Sequence, residues 1–138
     1  MLNRIDKRLT GDLLKILCDM GHGDEIVVVD ANFPAETCGK RVIRMPGLSG
    51  TDVLAAVLSV FPLDTYTQPA VIMDLTEDDK EKLPIPAIWG EFEKVAGVPL
   101  EKISRMSFYD RAKNAYAVIQ TGEERIYGNI LLVKGVVL

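Results

Sequence analysis

Residues 26–30 are Ile26-Val27-Val28-Val29-Asp30, four β-branched apolar residues followed by a carboxylate. A short apolar run without a polar interruption is typical of a strand that is buried on both faces. Such a strand belongs to the interior of a layered domain. The fold class then depends on whether helices and further strands of this kind alternate along the rest of the chain.

Helices and strands are predicted to alternate along the whole chain. The first helix covers about residues 11–20, with Thr10 as its N-cap and Gly21 as a left-handed stop. The other predicted strands cover 41–44, 70–73, 103–106, 116–119 and 129–133, and the other predicted helices follow Thr51, cover 88–96 and follow Ser107. Segments 31–39 and 77–86 are predicted to be irregular, and the last two strands are predicted to pair. This predicts one compact α/β domain over residues 1–138, with a mixed, mostly buried sheet flanked by helices.

Composition excludes several classes of partner. The net charge of −4 and the absence of a Lys/Arg cluster argue against nucleic acid and anionic membranes as partners. No apolar run approaches the roughly 20 residues of a spanning helix, and the first residues lack a secretory signal, so we expect a cytoplasmic protein. A mean hydropathy above zero favours a homo-oligomer.

The two cysteines are predicted to be reduced thiols. A chain of this size needs no disulfide, and Cys18 falls on the apolar stripe of the first helix. Cys18 and Cys38 with a single histidine make a poor zinc site, so we expect no metal.

The only histidine, His22, lies between two glycines in Gly21-His22-Gly23-Asp24. The carbonyls at the end of a helix favour a protonated imidazole by about 0.3–1 kcal/mol, and imidazole titrates near neutral pH. His22 is therefore a candidate general acid or base. The alternative is a capping residue that only hydrogen-bonds those carbonyls.

Three other places carry candidate binding groups. Asp30 ends a strand where open α/β sheets bind ligands, or it caps a turn. Arg105 offers a rigid fork for polyol oxygens, or it is a solvated charge at a strand end. Tyr127-Gly128-Asn129 combines a phenol, an amide and flexible backbone, as sugar sites do, or it forms an ordinary hairpin turn.

Ordered blocks along the chain carry a family resemblance. The blocks are Met20-Gly21-His22-Gly23-Asp24-Glu25-Ile26-Val27, Asp30-Ala31-Asn32-Phe33-Pro34, Phe61-Pro62-Leu63-Asp64-Thr65-Tyr66, Phe108-Tyr109-Asp110-Arg111-Ala112, Thr121-Gly122-Glu123 and Tyr127-Gly128-Asn129-Ile130-Leu131-Leu132. Together they resemble the L-fucose mutarotases within the wider family of D-ribose pyranases. The resemblance extends from the first helix to Gly135.

The resemblance implies an enzyme that interconverts the α and β anomers of L-fucose without a cofactor. It also implies a ring-like homo-oligomer with a pocket at each subunit contact. The family's proton donor corresponds to His22, and its sugar-binding residues correspond to Asp30, Arg105 and the segment Tyr127-Gly128-Asn129. In this interpretation His22 serves the ring oxygen, Asp30 orients His22, and the remaining groups hold hydroxyls.

Several points stay open at this level. Asn32 and Glu36 stand where some relatives carry histidines, so no role is transferred to them. The group that accepts the anomeric proton is not assigned, because the phenol of Tyr127 could do so only with local help. The alternatives are a D-ribose pyranase, a non-catalytic monosaccharide-binding module, and a regulatory oligomer with a vestigial pocket.

Overall fold

The computed structural model describes residues 1–138. The helices are α1 Gly11–Asp19, α2 Ala35–Cys38, α3 Gly50–Leu58, α4 Glu77–Lys82, α5 Ala87–Ala96 and α6 Arg105–Asn114. The strands are β1 Glu25–Val29, β2 Val42–Met45, β3 Ala70–Met73, β4 Glu101–Ile103, β5 Ala117–Thr121 and β6 Ile130–Val133. No helix has the length and apolar character needed to cross a membrane.

All strands form one mixed sheet in the order β2-β5-β1-β6-β3-β4. β6 is antiparallel to both of its neighbours, β1 and β3, whereas the other pairs are parallel. The predicted pairing of the last two strands is wrong, because β1 lies between β5 and β6. A tight hairpin connects two strands through about 2–5 residues, and the longer segment 122–129 can cross over β1 instead.

The sheet is covered on both faces, as the buried run in β1 predicts. Helices α1, α3 and α5 pack on one face, where Leu13, Leu54 and Phe92 are fully buried. Helices α2 and α6 pack on the other face, around Phe108. Alternate residues of β1 enter the two apolar clusters, so its side chains contribute to both layers. The predicted layered α/β class is confirmed.

The end of α1 differs from the prediction. Thr10 caps its start as predicted, but the helix ends at Asp19 and Met20 is extended, with no left-handed residue at Gly21. The ammonium group of Lys134 donates to the carbonyl oxygens of Leu17, at 2.7 Å, and of Met20. Because Lys134 satisfies these carbonyls, α1 needs no glycine cap.

Two helices begin earlier than predicted. The side chains of Ser49 and Ser104 cap α3 and α6, so the predicted caps Thr51 and Ser107 lie inside the first turns. Each serine hydroxyl accepts a hydrogen bond from an amide three residues ahead, which is the preferred N-cap geometry. Arg105 is therefore the first residue of a helix. The interpretation of Arg105 as a charge at a strand end is wrong.

Both segments predicted to be irregular contain a helix. The four-residue α2 follows Pro34, and α4 is capped by Thr76 with acidic residues in its first turn and lysines in its last. No residue of α4 is buried, so it shows no apolar periodicity. Its charges instead complement the helix dipole.

The two thiols lie in different environments. Both Cys18 and Cys38 are free, Cys38 is buried, and Cys18 is exposed rather than part of a buried stripe. The buried residues of α1 are Leu13 and Leu17, and the next position in a helix is rotated away from that face.

Candidate functional site

A small polar pocket lies at one edge of the sheet. Asp30 follows β1 and Met73 ends β3, and because β6 is antiparallel to both, Asn129 at its start reaches the same edge. The pocket has a volume of about 230 Å³. The predicted residues that line it are Asp30, Arg105, Tyr127 and Asn129. Its position matches the carboxyl edge where open α/β sheets bind ligands.

Asp30 is held by the backbone around it. Its carboxylate accepts hydrogen bonds from the amides of Asn32 at 3.0 Å and Gly128 at 3.2 Å. Burial raises the pKa of Asp30, and these two amides offset part of that effect. The amide of Asp30 donates to Oδ1 of Asn129 at 2.9 Å. The side-chain nitrogen of Asn129 donates weakly to the sulfur of Met73 at 3.9 Å, and its hydrogen bond to the Asp30 carboxylate also lowers the pKa of Asp30.

The segment Tyr127-Gly128-Asn129 has an unusual backbone conformation at Tyr127. Tyr127 has a φ of 61°, in the left-handed region, and its carbonyl accepts a hydrogen bond from the indole of Trp89 at 3.0 Å. A Cβ on Gly128 would lie 3.1 Å from side-chain carbons of Glu123 and Ile88. These distances are shorter than ordinary van der Waals contacts, so glycine suits this position, and its neighbours Tyr127 and Asn129 line the pocket.

The far wall of the pocket carries two phenols. The hydroxyl of Tyr127 donates to Oδ2 of Asp79. Nε of Arg105 donates to the hydroxyl of Tyr109 at 3.2 Å, and this contact raises the pKa of the guanidinium. The ring of Phe33 packs edge-on against Tyr109, with centroids 5.4 Å apart. The wall thus offers charged, phenolic and aromatic surfaces to one ligand.

His22 lies near the opposite ends of the strands from this pocket. It precedes β1, whereas Asp30 follows it, and the five residues of this strand alone span about 16 Å. The side chain of His22 is 45% exposed. Within one protomer, the structure brings together Asp30, Arg105 and Tyr127-Gly128-Asn129 but leaves His22 apart.

The carboxylate beside His22 is Asp64. Its Oδ1 lies 3.0 Å from Nε2 of His22, so the expectation that Asp30 orients His22 is wrong within the protomer. Hydrogen bonds from the Thr67 hydroxyl, from His22 and from the amide of Tyr66 lower the pKa of Asp64 to about 2. An ionised carboxylate only accepts, so Nε2 carries a hydrogen and Nδ1 is the atom that can exchange a proton with a ligand.

An apolar groove of about 510 Å³ adjoins His22. Among its lining residues are Leu14, Val60 and Val137. Lys134 also lines it, and its ammonium group already occupies the carbonyls at the end of α1. The alternative interpretation of His22 as a helix cap is therefore wrong.

Sequence reasoning missed three polar residues of these sites. Asp64 and Tyr109 stood in the quoted blocks without a role, and Asp79 stood in the segment predicted to be irregular. Thr76 followed three residues later by the acidic Asp79 matches the start of a helix. That spacing could have located Asp79 on an ordered element.

Fold and pocket together define a class of protein. It is a single-domain α/β protein with a small pocket, lined by carboxylate, amide, guanidinium and phenol groups, at the carboxyl ends of the parallel strands of its sheet. The sequence model of the RbsD / FucU transport protein family matches residues 3–137. The chain belongs to that family.

Known relatives match along nearly their whole length. The chain is 46% identical to a fucose mutarotase of Homo sapiens, over 98% of this chain and 94% of that protein. The crystal structure of the fucose mutarotase from Streptococcus pneumoniae in complex with L-fucose matches with a TM-score of 0.92 and 40% identity, over 99% of this chain and 100% of that one. RbsD of Bacillus subtilis, complexed with D-ribose, matches with a TM-score of 0.78 and 27% identity over both whole chains. The D-ribose pyranase-like fold implied by the sequence blocks is confirmed.

Proposed function

We propose that this protein is an isomerase that interconverts the α and β anomers of L-fucose. The observation that carries this proposal is the polar pocket at Asp30, Asn129 and Tyr127, in a chain similar over its whole length to proteins named fucose mutarotase. A pocket of about 230 Å³ suits a monosaccharide, since sites for drug-sized ligands measure roughly 300–1,000 Å³.

The groups around the pocket match the hydrogen-bonding needs of a sugar. A sugar hydroxyl both donates and accepts, Asp30 accepts when ionised, and Asn129 and Arg105 donate. The rings of Phe33 and Tyr109 offer apolar surface to C–H groups. L-Fucose has a methyl group in place of a hydroxymethyl group, which suits an apolar portion of the wall.

Anomer exchange needs two proton transfers. One proton leaves the anomeric hydroxyl while another reaches the ring oxygen, and the open aldehyde then rotates and closes on its other face. We assign the transfer at the ring oxygen to His22 through Nδ1. Positioned acid and base groups accelerate such steps by about 10²–10⁴-fold each.

We propose that two protomers build each complete site. One chain holds the pocket and His22 at opposite edges of its sheet, so His22 can reach a bound sugar only in a neighbouring protomer. A closed ring of identical contacts supplies one His22 to each pocket. The apolar groove beside His22 supports this proposal, since apolar surface of that kind is typical of contacts between subunits. We place this assembly in the cytoplasm, in keeping with the free thiols Cys18 and Cys38.

Saturation transfer between the two anomeric protons of L-fucose tests the function. We expect the wild-type protein to raise the exchange rate above that of buffer, and His22→Ala to lose most of this increase while keeping the same melting temperature. Unchanged exchange in His22→Ala would remove His22 from the mechanism. A wild-type protein that does not accelerate exchange would refute the proposed function.

D-ribose pyranase activity is the second candidate, because RbsD of Bacillus subtilis shares the fold and was crystallised with D-ribose. The same proton transfers convert pyranose and furanose forms. Parallel exchange measurements with L-fucose and D-ribose distinguish the two, and we expect the larger acceleration with fucose. Saturable binding of either sugar without faster exchange would instead indicate a non-catalytic binding module.

A further inference from the structure

The phenol of Tyr127 lies between an acceptor and a donor. Its hydroxyl donates to Oδ2 of Asp79, and its oxygen accepts a hydrogen bond from the amide of Thr76 at 3.4 Å. Both partners belong to the start of α4. The phenol therefore enters the pocket with its proton already directed away from the ligand.

The position of Asp79 is set by the helix cap. Its amide donates to the hydroxyl of Thr76 at 3.3 Å, and its carbonyl accepts from the amide of Leu83 at 2.8 Å. The carboxylate is thus anchored in the first turn of α4 and lines the pocket beside Tyr127. No residue of α4 is buried, and this turn is connected to the pocket by the hydrogen bonds of Asp79 and Thr76 with the hydroxyl of Tyr127.

A phenol alone is a poor base at neutral pH, because its ordinary pKa is about 10. We propose that Asp79 receives the hydroxyl proton of Tyr127, so that Tyr127 can take the proton of the anomeric hydroxyl. Asp79 is then a positioning residue that acts through Tyr127. This inference rests on the proposed function and assigns the anomeric proton, which the sequence left open.

The proton and electron movements balance. The anomeric O–H proton moves to the oxygen of Tyr127 as the phenolic proton moves to Oδ2 of Asp79. The anomeric oxygen forms the aldehyde carbonyl, and the bond between C1 and the ring oxygen breaks with its electron pair on the ring oxygen. That oxygen takes the Nδ1 proton of a protonated His22, which becomes neutral with its remaining proton on Nε2, and closure on the other face reverses every step.

The other candidate bases are less suited to this transfer. The carboxylate of Asp30 already accepts two backbone amides, and the hydroxyl of Tyr109 accepts from Arg105 and contacts no carboxylate. The guanidinium of Arg105 lines the same pocket as Tyr127 and Asp79 and donates to Tyr109. On α4 itself, the neighbouring ammonium of Lys80 is held by Asp74 and Glu77.

The variant Asp79→Asn tests the inference. The amide keeps an oxygen that can accept from Tyr127 but that does not take up a proton near neutral pH. We expect kcat for fucose exchange to fall about 100-fold, with KM within about twofold of the wild-type value. Asp78→Asn removes the same charge from an exposed position in the same turn and should leave both constants unchanged. Asp79→Glu restores a carboxylate and should recover a substantial part of kcat.

A double variant that adds Tyr127→Phe shows whether Asp79 acts by taking the proton of Tyr127 or only by contacting the ligand. If Asp79 acts through Tyr127, the double variant Asp79→Asn/Tyr127→Phe should be no slower than Tyr127→Phe alone. A wild-type kcat in Asp79→Asn, a change in KM alone, or equal losses in the Asn and Glu variants would overturn the inference. Those results leave wild-type fucose exchange intact, whereas failure of the proposed function shows as no acceleration by the wild-type protein.

Discussion

Asp64 determines which ring nitrogen of His22 is available for chemistry. Its ionised carboxylate occupies Nε2, and the hydroxyl of Thr67 at 2.6 Å holds that carboxylate in place. The imidazole is therefore oriented by a residue 42 positions away in the chain. Carboxylates that contact the far nitrogen of a working histidine commonly fix its tautomer and ring position.

We expect Asp64→Asn to lower fucose exchange about tenfold or more, because the amide carries no charge and can place either end against Nε2. Saturation transfer measures the effect. Asp19→Asn, which removes an exposed carboxylate at the end of α1, is the control and should exchange anomers at the wild-type rate. Equal rates in the two variants would show that His22 needs no orienting carboxylate.

The low pKa of Asp64 also predicts a dependence of stability on pH. The folded-state pKa of about 2 lies below the ordinary value of 3.8, so ionised Asp64 stabilises the folded protein above about pH 4. That contribution is lost as the pH falls from about 4 to 2. Urea unfolding of wild type and Asp64→Asn should show a difference in free energy of unfolding that shrinks over this interval. A constant difference would contradict the assignment.

At the scale of elements, Lys134 joins the end of β6 to the end of α1 and so supports the turn that carries His22. Lys134→Met leaves the carbonyls of Leu17 and Met20 without this donor. We expect the free energy of unfolding to fall by about 1–3 kcal/mol, measured by urea unfolding, with slower fucose exchange. Lys15→Met, an exposed lysine on the same helix, should change stability by less than about 0.5 kcal/mol. A Lys134→Met protein as stable as Lys15→Met would show that water replaces the cap.

Arg125 ties the segment that carries Tyr127 to α5. Its guanidinium contacts the buried Glu123 at 3.0 Å and Glu91 of α5 at 2.5 Å. The hydrogen bonds from Arg125 lower the pKa of Glu123, and Arg125→Met would leave that buried carboxylate without its main partner.

We expect Arg125→Met to lose about 2 kcal/mol of unfolding free energy and to weaken sugar binding, because the segment 122–129 would be less restrained. Urea unfolding and the KM for fucose exchange measure the two effects. Glu124→Gln, at an exposed position in the same segment, should alter neither. Wild-type stability in Arg125→Met would mean that solvent reaches Glu123.

At the scale of the whole molecule, the proposed site combines the pocket of one chain with His22 of a neighbouring chain. We expect His22→Ala and Tyr127→Phe to be nearly inactive alone and to recover about a quarter of wild-type exchange when unfolded together and refolded as a mixture. Random mixing of two protomers gives an intact pair at one contact in about four. Fucose saturation transfer on the mixture measures the recovery.

Two variants that both alter the pocket provide the control for this mixture. Tyr127→Phe and Asn129→Ala both alter the pocket, so their mixture should recover nothing. Recovery in both mixtures, or in neither, would show that the site does not combine His22 of one chain with the pocket of another.

Local patterns predicted most elements and four of the ten residues that line the pocket, Asp30, Arg105, Tyr127 and Asn129. The strands β1 and β3 and the helix α1 were predicted because burial and capping each produce a recognisable pattern within a few consecutive residues. Helix α4 was missed because it buries no side chain, and Asp79 was missed with it. The carboxyl-edge position of Asp30 followed from its place at the end of a buried strand.

The amino-acid sequence by itself determined the α/β class, the buried central strand and the chemical groups gathered in Asp30, Arg105 and Tyr127-Gly128-Asn129. Tertiary structure alone decided that β1 separates β5 from β6, that Asp64 contacts His22, and that Asp79 contacts Tyr127 across 48 positions of the chain. Local periodicity reports which face of an element is buried. Strand order and distant polar contacts depend on how whole elements pack, and no short stretch of residues encodes that packing.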